Sequence, residues 1–173
     1  MTTTTDPRPL TGNVLVALTV LLMAAIAVVV VFRGSDEFAR PGPDGVVTVV
    51  VEGTTFTPSS LALPAGQPFS LVFENRNDFI HHLAVGRSLE RDDDGAYFAE
   101  DLFAGVTARA DPPEAWLPPT ETAEHVTLVL PARETVRYEL TLPEDRTGEW
   151  QLGCFIGRGC DARLHPEVEI VVE

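Results

Sequence analysis

Residues 148–173, GEWQLGCFIGRGCDARLHPEVEIVVE, carry most of the information about the fold and chemistry of this chain. The pattern predicts a short strand that ends at Cys154, a glycine-containing loop with Cys160 and His165, and a closing strand. Thiolate and imidazole side chains on a loop between strands suit a metal that prefers sulfur, such as copper or zinc. The same two cysteines could instead form a disulfide, so both interpretations stay open at this point.

An apolar run without charged residues lies near the N-terminus, at residues 14–32. At about 1.5 Å per residue, about 19 residues span about 28 Å, close to the hydrocarbon thickness of a bilayer. A cleaved signal peptide is the alternative, with a candidate cleavage site at residues 25–27, but more apolar residues follow that site. We therefore predict a short tail at residues 1–13 and a lipid-embedded transmembrane anchor at 14–32.

The anchor predicts a single-pass protein of the cell membrane whose C-terminal domain is extracytoplasmic. Residues 33–45 are rich in proline, glycine and charge, which is typical of a linker. Residues 46–173 are enough for one ordinary domain with its own core. The chain has no lysine and a net charge of −14, and such an acidic surface argues against nucleic acid as a partner.

Short segments rich in β-branched residues, separated by turn residues, indicate an all-β domain. We predict strands at 46–52, 61–63, 69–74, 82–85, 126–130, 135–142, 149–154 and 167–172. Without crossover helices this order favours an all-β sandwich or a small barrel. Residues 87–124, with ten acidic residues, are predicted to be an acidic insertion that includes a short helix near residues 99–103.

Several motifs, taken in order, resemble those of the cupredoxin family. FTP at 56–58, LPAG at 63–66 and LVFEN at 71–75 are similar to the family's opening strands, and IHHLAV at 80–85 is similar to its first copper-histidine strand. GEWQLGC at 148–154 resembles the family segment that delivers the copper thiolate. The resemblance implies a Greek-key β-sandwich that binds copper through His81 and Cys154. It also implies one-electron transfer or copper handling beside a redox partner protein, and no enzymatic activity.

The ligand loop departs from the family pattern, because Cys160 is near the position of the second histidine and His165 is near that of the methionine. One possibility is a mononuclear copper site of His81, Cys154 and His165, with or without Cys160. A second is a two-cysteine, two-histidine centre similar to the purple dinuclear copper centre of oxidases, and zinc also suits such a ligand set. The third is a metal-free binding or scaffold module with a Cys154–Cys160 disulfide.

All copper models share one geometric requirement. The imidazole of His81 and the sulfur of Cys154 are separated by more than seventy residues, and they must meet at one end of the sandwich. His82 should point to the opposite face if the segment is extended, because successive side chains alternate along a strand. We therefore expect His82 to be a bystander.

Overall fold

The computed structural model describes residues 38–92, 95–120, 125–154 and 168–173. These ranges contain two short 3-10 helices, Pro113–Ala115 and Glu144–Arg146, and no longer helix. They also contain twelve strands: β1 Val46–Glu52, β2 Thr55–Thr57, β3 Ser60–Leu63, β4 Pro68–Asn75, β5 His81–Asp92, β6 Gly95–Asp101, β7 Arg109–Asp111, β8 Trp116–Leu117, β9 Thr127–Leu130, β10 Thr135–Thr141, β11 Gly148–Cys154 and β12 Val168–Val172.

The strands form two sheets, which confirms the predicted all-β sandwich. The first sheet has the order β2-β1-β4-β10-β7, and the second has the order β3-β12-β11-β5-β9-β8, with β6 paired to β5. The pairs β1–β4 and β3–β12 are parallel, whereas the other pairs are antiparallel. Neighbours in the sheets are mostly distant in sequence, so non-local pairing brings β5 and β11 side by side.

The core lies between the two sheets and follows from the period-2 pattern of the strands. Along β10, exposed and buried residues alternate without exception, so Val136, Tyr138 and Leu140 face inward. Trp150 and Leu152 of β11 are equally buried on the facing sheet. Burial raises the pKa of Tyr138, whose hydroxyl lies within hydrogen-bonding distance of two backbone carbonyls.

The segment before β1 packs against the second sheet. Ala39 forms a parallel bridge with Leu61, and Arg40 pairs with Glu173 at 2.7 Å. Residues 38–45, expected to be part of the linker, therefore contact the domain. Among the described residues no helix has the length and apolar character to cross a bilayer, and the predicted anchor at 14–32 lies outside them.

The first part of the predicted insertion is a β-hairpin, because β5 continues to Asp92 and β6 returns alongside it. The short helix predicted near residues 99–103 is wrong: β6 extends to Asp101, and a turn follows. The Asp101 carboxylate accepts hydrogen bonds from the backbone N–H groups of Phe103 and Val126, each at 2.8 Å. The backbone groups that a helix would have paired internally are hydrogen-bonded instead to the neighbouring strand and to the Asp101 carboxylate.

Candidate metal centre

Strand register places His81 and Cys154 on the same face of the second sheet. Cys154, the last residue of β11, pairs with Leu83 of β5, and His81 lies two residues before Leu83. Side chains two residues apart on a strand share a face, so His81 and Cys154 are diagonal neighbours on an antiparallel pair. Both point into the sandwich, with exposed fractions of 0% for His81 and 1% for Cys154.

The structure brings the reactive atoms of these two side chains together. Nδ1 of His81 lies 3.6 Å from Sγ of Cys154. A metal bonded to an imidazole nitrogen at about 2.0 Å and a thiolate at about 2.3 Å, at a tetrahedral angle, separates the two donors by about 3.5 Å. The donor types, their burial and their separation therefore fit copper. A hydrogen bond between nitrogen and sulfur also fits this distance.

Aromatic rings surround the imidazole of His81. The ring of Phe79 lies 4.9 Å from it, centroid to centroid, and that of Phe56 lies 6.5 Å away with its edge towards it. Phe79 is 49% exposed, so one face of its side chain reaches solvent while its ring contacts a fully buried histidine. His81 thus packs against two aromatic rings and is itself 0% exposed.

Asn75 fixes the loop that leads to His81. Its Nδ2 lies within hydrogen-bonding distance of the carbonyls of Phe79, Leu130 and Pro131, at 3.0, 3.1 and 2.8 Å. Its Oδ1 accepts a hydrogen bond from the backbone N–H of Asn77 at 3.0 Å. One buried amide therefore ties together the loop and the end of β9, and the start of β5 is held in place.

Asn77 is a site residue that sequence reasoning missed, since we treated its segment only as a polar turn. Its Oδ1 lies 2.6 Å from the backbone N of Gly53, and its Nδ2 lies 3.2 Å from the carbonyl of the same glycine. The same Nδ2 lies 2.8 Å from Nε2 of His81. The available signal was an asparagine four residues before the predicted ligand, because ligand histidines usually hydrogen-bond through the nitrogen that does not bind the metal.

The remaining predicted ligands, Cys160 and His165, lie outside the described residues. Within the described ranges no group of three or more His, Cys, Asp or Glu side chains is arranged to hold a metal ion. His82 pairs with Val129 and, next to His81 on the same strand, points to the opposite face. The described part of the candidate centre is therefore the His81–Cys154 pair together with Asn75 and Asn77.

No protein-family model and no curated protein matches the chain. Among solved structures, it is similar to auracyanin B (20% identity, 79% of this chain and 94% of that one, TM-score 0.48). It is also similar to auracyanin from Roseiflexus castenholzii (15% identity, 76% and 99% coverage, TM-score 0.45) and to rusticyanin from Thiobacillus ferrooxidans (15% identity, 81% and 84% coverage, TM-score 0.45). These structural neighbours are cupredoxins, the family that the sequence motifs predicted.

Proposed function

We propose that this protein binds copper at a buried centre built on His81 and Cys154 and uses it for one-electron transfer or copper handling outside the cytoplasm. The observation that carries the proposal is the 3.6 Å separation between Nδ1 of His81 and Sγ of Cys154, inside the sandwich. Residues 14–32 would anchor the domain in the bilayer, close to a membrane-bound redox partner.

In this proposal the ligands come from two places in the chain. His81 supplies an imidazole from the start of β5, and Cys154 supplies the thiolate from the end of β11. His165 would be the remaining imidazole and Cys160 an additional or bridging sulfur, both from residues 155–167. Bound copper would supply the one-electron chemistry, which none of the twenty ordinary side chains performs as readily.

The described residues contribute positioning and exclusion of water. His81 and Cys154 are fully buried, and a dry, rigid surrounding is what tunes the potential of a copper–thiolate centre. Asn75 and its three carbonyl partners hold the His81 loop against β9. The two donors are therefore already 3.6 Å apart before a metal arrives.

A copper titration tests the proposal. The full-length chain, reduced and then mixed with Cu(II), should develop strong visible absorption from charge transfer between thiolate and copper. Cys154→Ser should abolish this absorption. His82→Gln is the matched control, because it changes a histidine next to His81 on the opposite face and should leave the spectrum in place. A reduced wild-type protein that develops no such absorption contradicts the proposal.

Elemental analysis separates copper from the other models. Protein isolated from its native membrane should contain copper, with one or two ions per chain distinguishing the mononuclear from the dinuclear model. Zinc in place of copper would support the tetrahedral Cys2His2 alternative. No metal, together with a thiol count of zero, would instead support the scaffold module with a Cys154–Cys160 disulfide.

A further inference from the structure

The main chain of Asn77 is held from both sides. Its N–H donates to Oδ1 of Asn75 at 3.0 Å, and its carbonyl accepts from the backbone N–H of Arg133 at 3.0 Å. The residue is 7% exposed. Its side chain therefore leaves a fixed backbone position, and the contacts of the amide decide which way its oxygen and nitrogen point.

Only one orientation of the Asn77 amide satisfies Gly53. Oδ1 accepts from the glycine N–H at 2.6 Å, and Nδ2 donates to the glycine carbonyl at 3.2 Å. Exchanging oxygen and nitrogen would place a donor against a donor and an acceptor against an acceptor, so the contacts themselves assign the orientation. We refer to this doubly hydrogen-bonded arrangement as the Asn77–Gly53 pair.

The second proton of Asn77 Nδ2 then points at the imidazole. Nδ2 lies 2.8 Å from Nε2 of His81, and an amide nitrogen is only a donor, so Nε2 must be the acceptor. A neutral imidazole whose Nε2 accepts carries its proton on Nδ1. That nitrogen lies 3.6 Å from Sγ of Cys154, which makes the sulfur the acceptor of the ring proton.

We propose that Asn77, through the Asn77–Gly53 pair, is a positioning residue that sets the tautomer of His81 with the proton on Nδ1, so that His81 and Cys154 are hydrogen-bonded to each other in the metal-free protein. This assignment depends only on the contacts of Asn77, describes the metal-free protein, and does not require that the protein bind a metal at all. It gives the loop before β5 a function beyond shaping the backbone.

A second consequence rests on the proposed function. Ligation through Nδ1 needs the lone pair of that nitrogen, and the neutral ring then carries its proton on Nε2. The protonated Nε2 would face the Nδ2 donor of Asn77, two donors against each other. Turning the amide removes this conflict but breaks both hydrogen bonds of the Asn77–Gly53 pair. Metal binding and the Asn77–Gly53 pair are therefore mutually exclusive.

The location of Gly53 makes such an exchange feasible. Gly53 lies in the turn between β1 and β2, is exposed, and has a φ of +59°. An added Cβ there would meet nothing within 4 Å, so the turn has open space around it. Release of the pair moves an exposed turn and leaves the packed strands in place.

Nuclear magnetic resonance of the full-length, ¹⁵N-labelled, metal-free and reduced chain tests the tautomer directly. Long-range proton–nitrogen correlations distinguish a protonated from an unprotonated ring nitrogen, and His81→Gln identifies the His81 signals. We expect a protonated Nδ1 and an unprotonated Nε2 in His81. A neutral His81 with its proton on Nε2 would overturn the proposal.

Asn77→Asp provides the matching variant, because one carboxylate oxygen can accept from the Gly53 N–H and the other from the ring, while the donor to the Gly53 carbonyl is lost. We expect the proton of His81 to move to Nε2 in this variant. Asp78→Asn, which also changes the net charge by one unit but at an exposed position of the same loop, should leave the proton on Nδ1. Asn77→Ala, which removes the donor without adding charge, should populate both tautomers. A proton that stays on Nδ1 in both Asn77 variants would contradict the role of Asn77.

Titration with Cu(I) alone tests the exchange. In the wild type, the backbone amide signal of Gly53 should shift on binding. Asn77→Asp should bind on the order of tenfold more tightly, because its acceptor contacts to the Gly53 N–H and to a protonated Nε2 need not be broken. Binding with an unchanged Gly53 signal would overturn the exchange. Absence of binding would refute the proposed function instead, and the tautomer would still be decided by the metal-free spectra.

Discussion

The polar side chains near the two ends of strand β5 lie in opposite environments. Around its start, Asn75 at the end of β4, Asn77 in the connecting loop and His81 have exposed fractions of 2%, 7% and 0%. Along the hairpin that it forms with β6, the Arg87–Glu100 pair has side chains that are 43% and 46% exposed. Buried hydrogen bonds are directional and costly to leave unmade, whereas exposed ion pairs are screened and exchange with water.

This difference shows where the structure is specified and where it is adaptable. In the loop at residues 75–81, the side-chain amides of Asn75 and Asn77 both have defined hydrogen-bond partners. The contacts of Asn77 in turn orient the imidazole of His81. In the β5–β6 hairpin, Arg87 also lies over the ring of Trp150, 4.4 Å from its centroid, but its charge remains in water. Changes to the loop should therefore affect folding and the site, and changes to the hairpin should affect stability alone.

The largest effect is expected for Asn75→Ala. The substitution removes the two amide protons that reach the carbonyls of Phe79, Leu130 and Pro131, and the acceptor of the buried Asn77 N–H, which should lower the free energy of unfolding by about 3 to 5 kcal/mol. Asp78→Asn, in the same loop but with a side chain 82% exposed, is the control and should change little. Denaturant unfolding monitored by Trp fluorescence measures both free energies of unfolding. Equal effects of the two substitutions would contradict a dominant role of the buried Asn75 hydrogen bonds.

An intermediate effect is expected for Gly86→Ala, at the base of the hairpin. A Cβ at this position would overlap the carbonyl of Glu100 and the side chain of Phe98, so β6 must shift, at a cost of about 1 to 3 kcal/mol. Adding Phe98→Gly, which removes both the Cβ and the Cγ that the new methyl group would overlap, should recover part of this cost, which a double-mutant cycle measures. The Cu(II) spectrum should stay the same; a changed spectrum would show that the hairpin and the candidate centre are coupled.

The smallest effect is expected for Glu100→Gln, and it should depend on pH. The hydrogen bond from Arg87 lowers the pKa of Glu100 in the folded protein. A lowered pKa contributes stability above the ordinary range of a carboxyl group and loses it as the pH falls. The difference in unfolding free energy between wild type and variant should thus be small at neutral pH and vanish in acid. A difference that grows on acidification, or that resists added salt, would be inconsistent with an exposed ion pair.

Much of the sandwich was predictable because its strands have one buried and one exposed face. Residues 46–52 are a β-branched run, and they form β1 with Val47, Val49 and Val51 inside. The hairpin was missed because charged residues interrupt the apolar alternation in β5 beyond Gly86 and in β6. The Asp94-Gly95 dipeptide, a strong hairpin signal, was present in the sequence and would have corrected this.

For the candidate centre, the sequence predicted the ligand types but not the hydrogen bonds that orient them. The proximity of His81 to Cys154 followed from motif order, since each motif marks one strand of a known topology. The contact between Asn77 and Gly53 joins a loop side chain to the backbone of a turn that is distant in sequence, and no local pattern encodes it. The roles of Cys160 and His165 remain predictions, because residues 155–167 lie outside the described part of the chain.

The pairing of Cys154 with Leu83 limits how a domain of this kind can evolve. Deleting or inserting one residue within β11 would turn the sulfur to the outer surface, because side chains alternate between the two faces. Changes in strand length that preserve the donor pair must therefore come in steps of two residues. The number of residues between Cys154 and β12 is not restricted to such steps of two, so natural variation in ligand spacing should accumulate there.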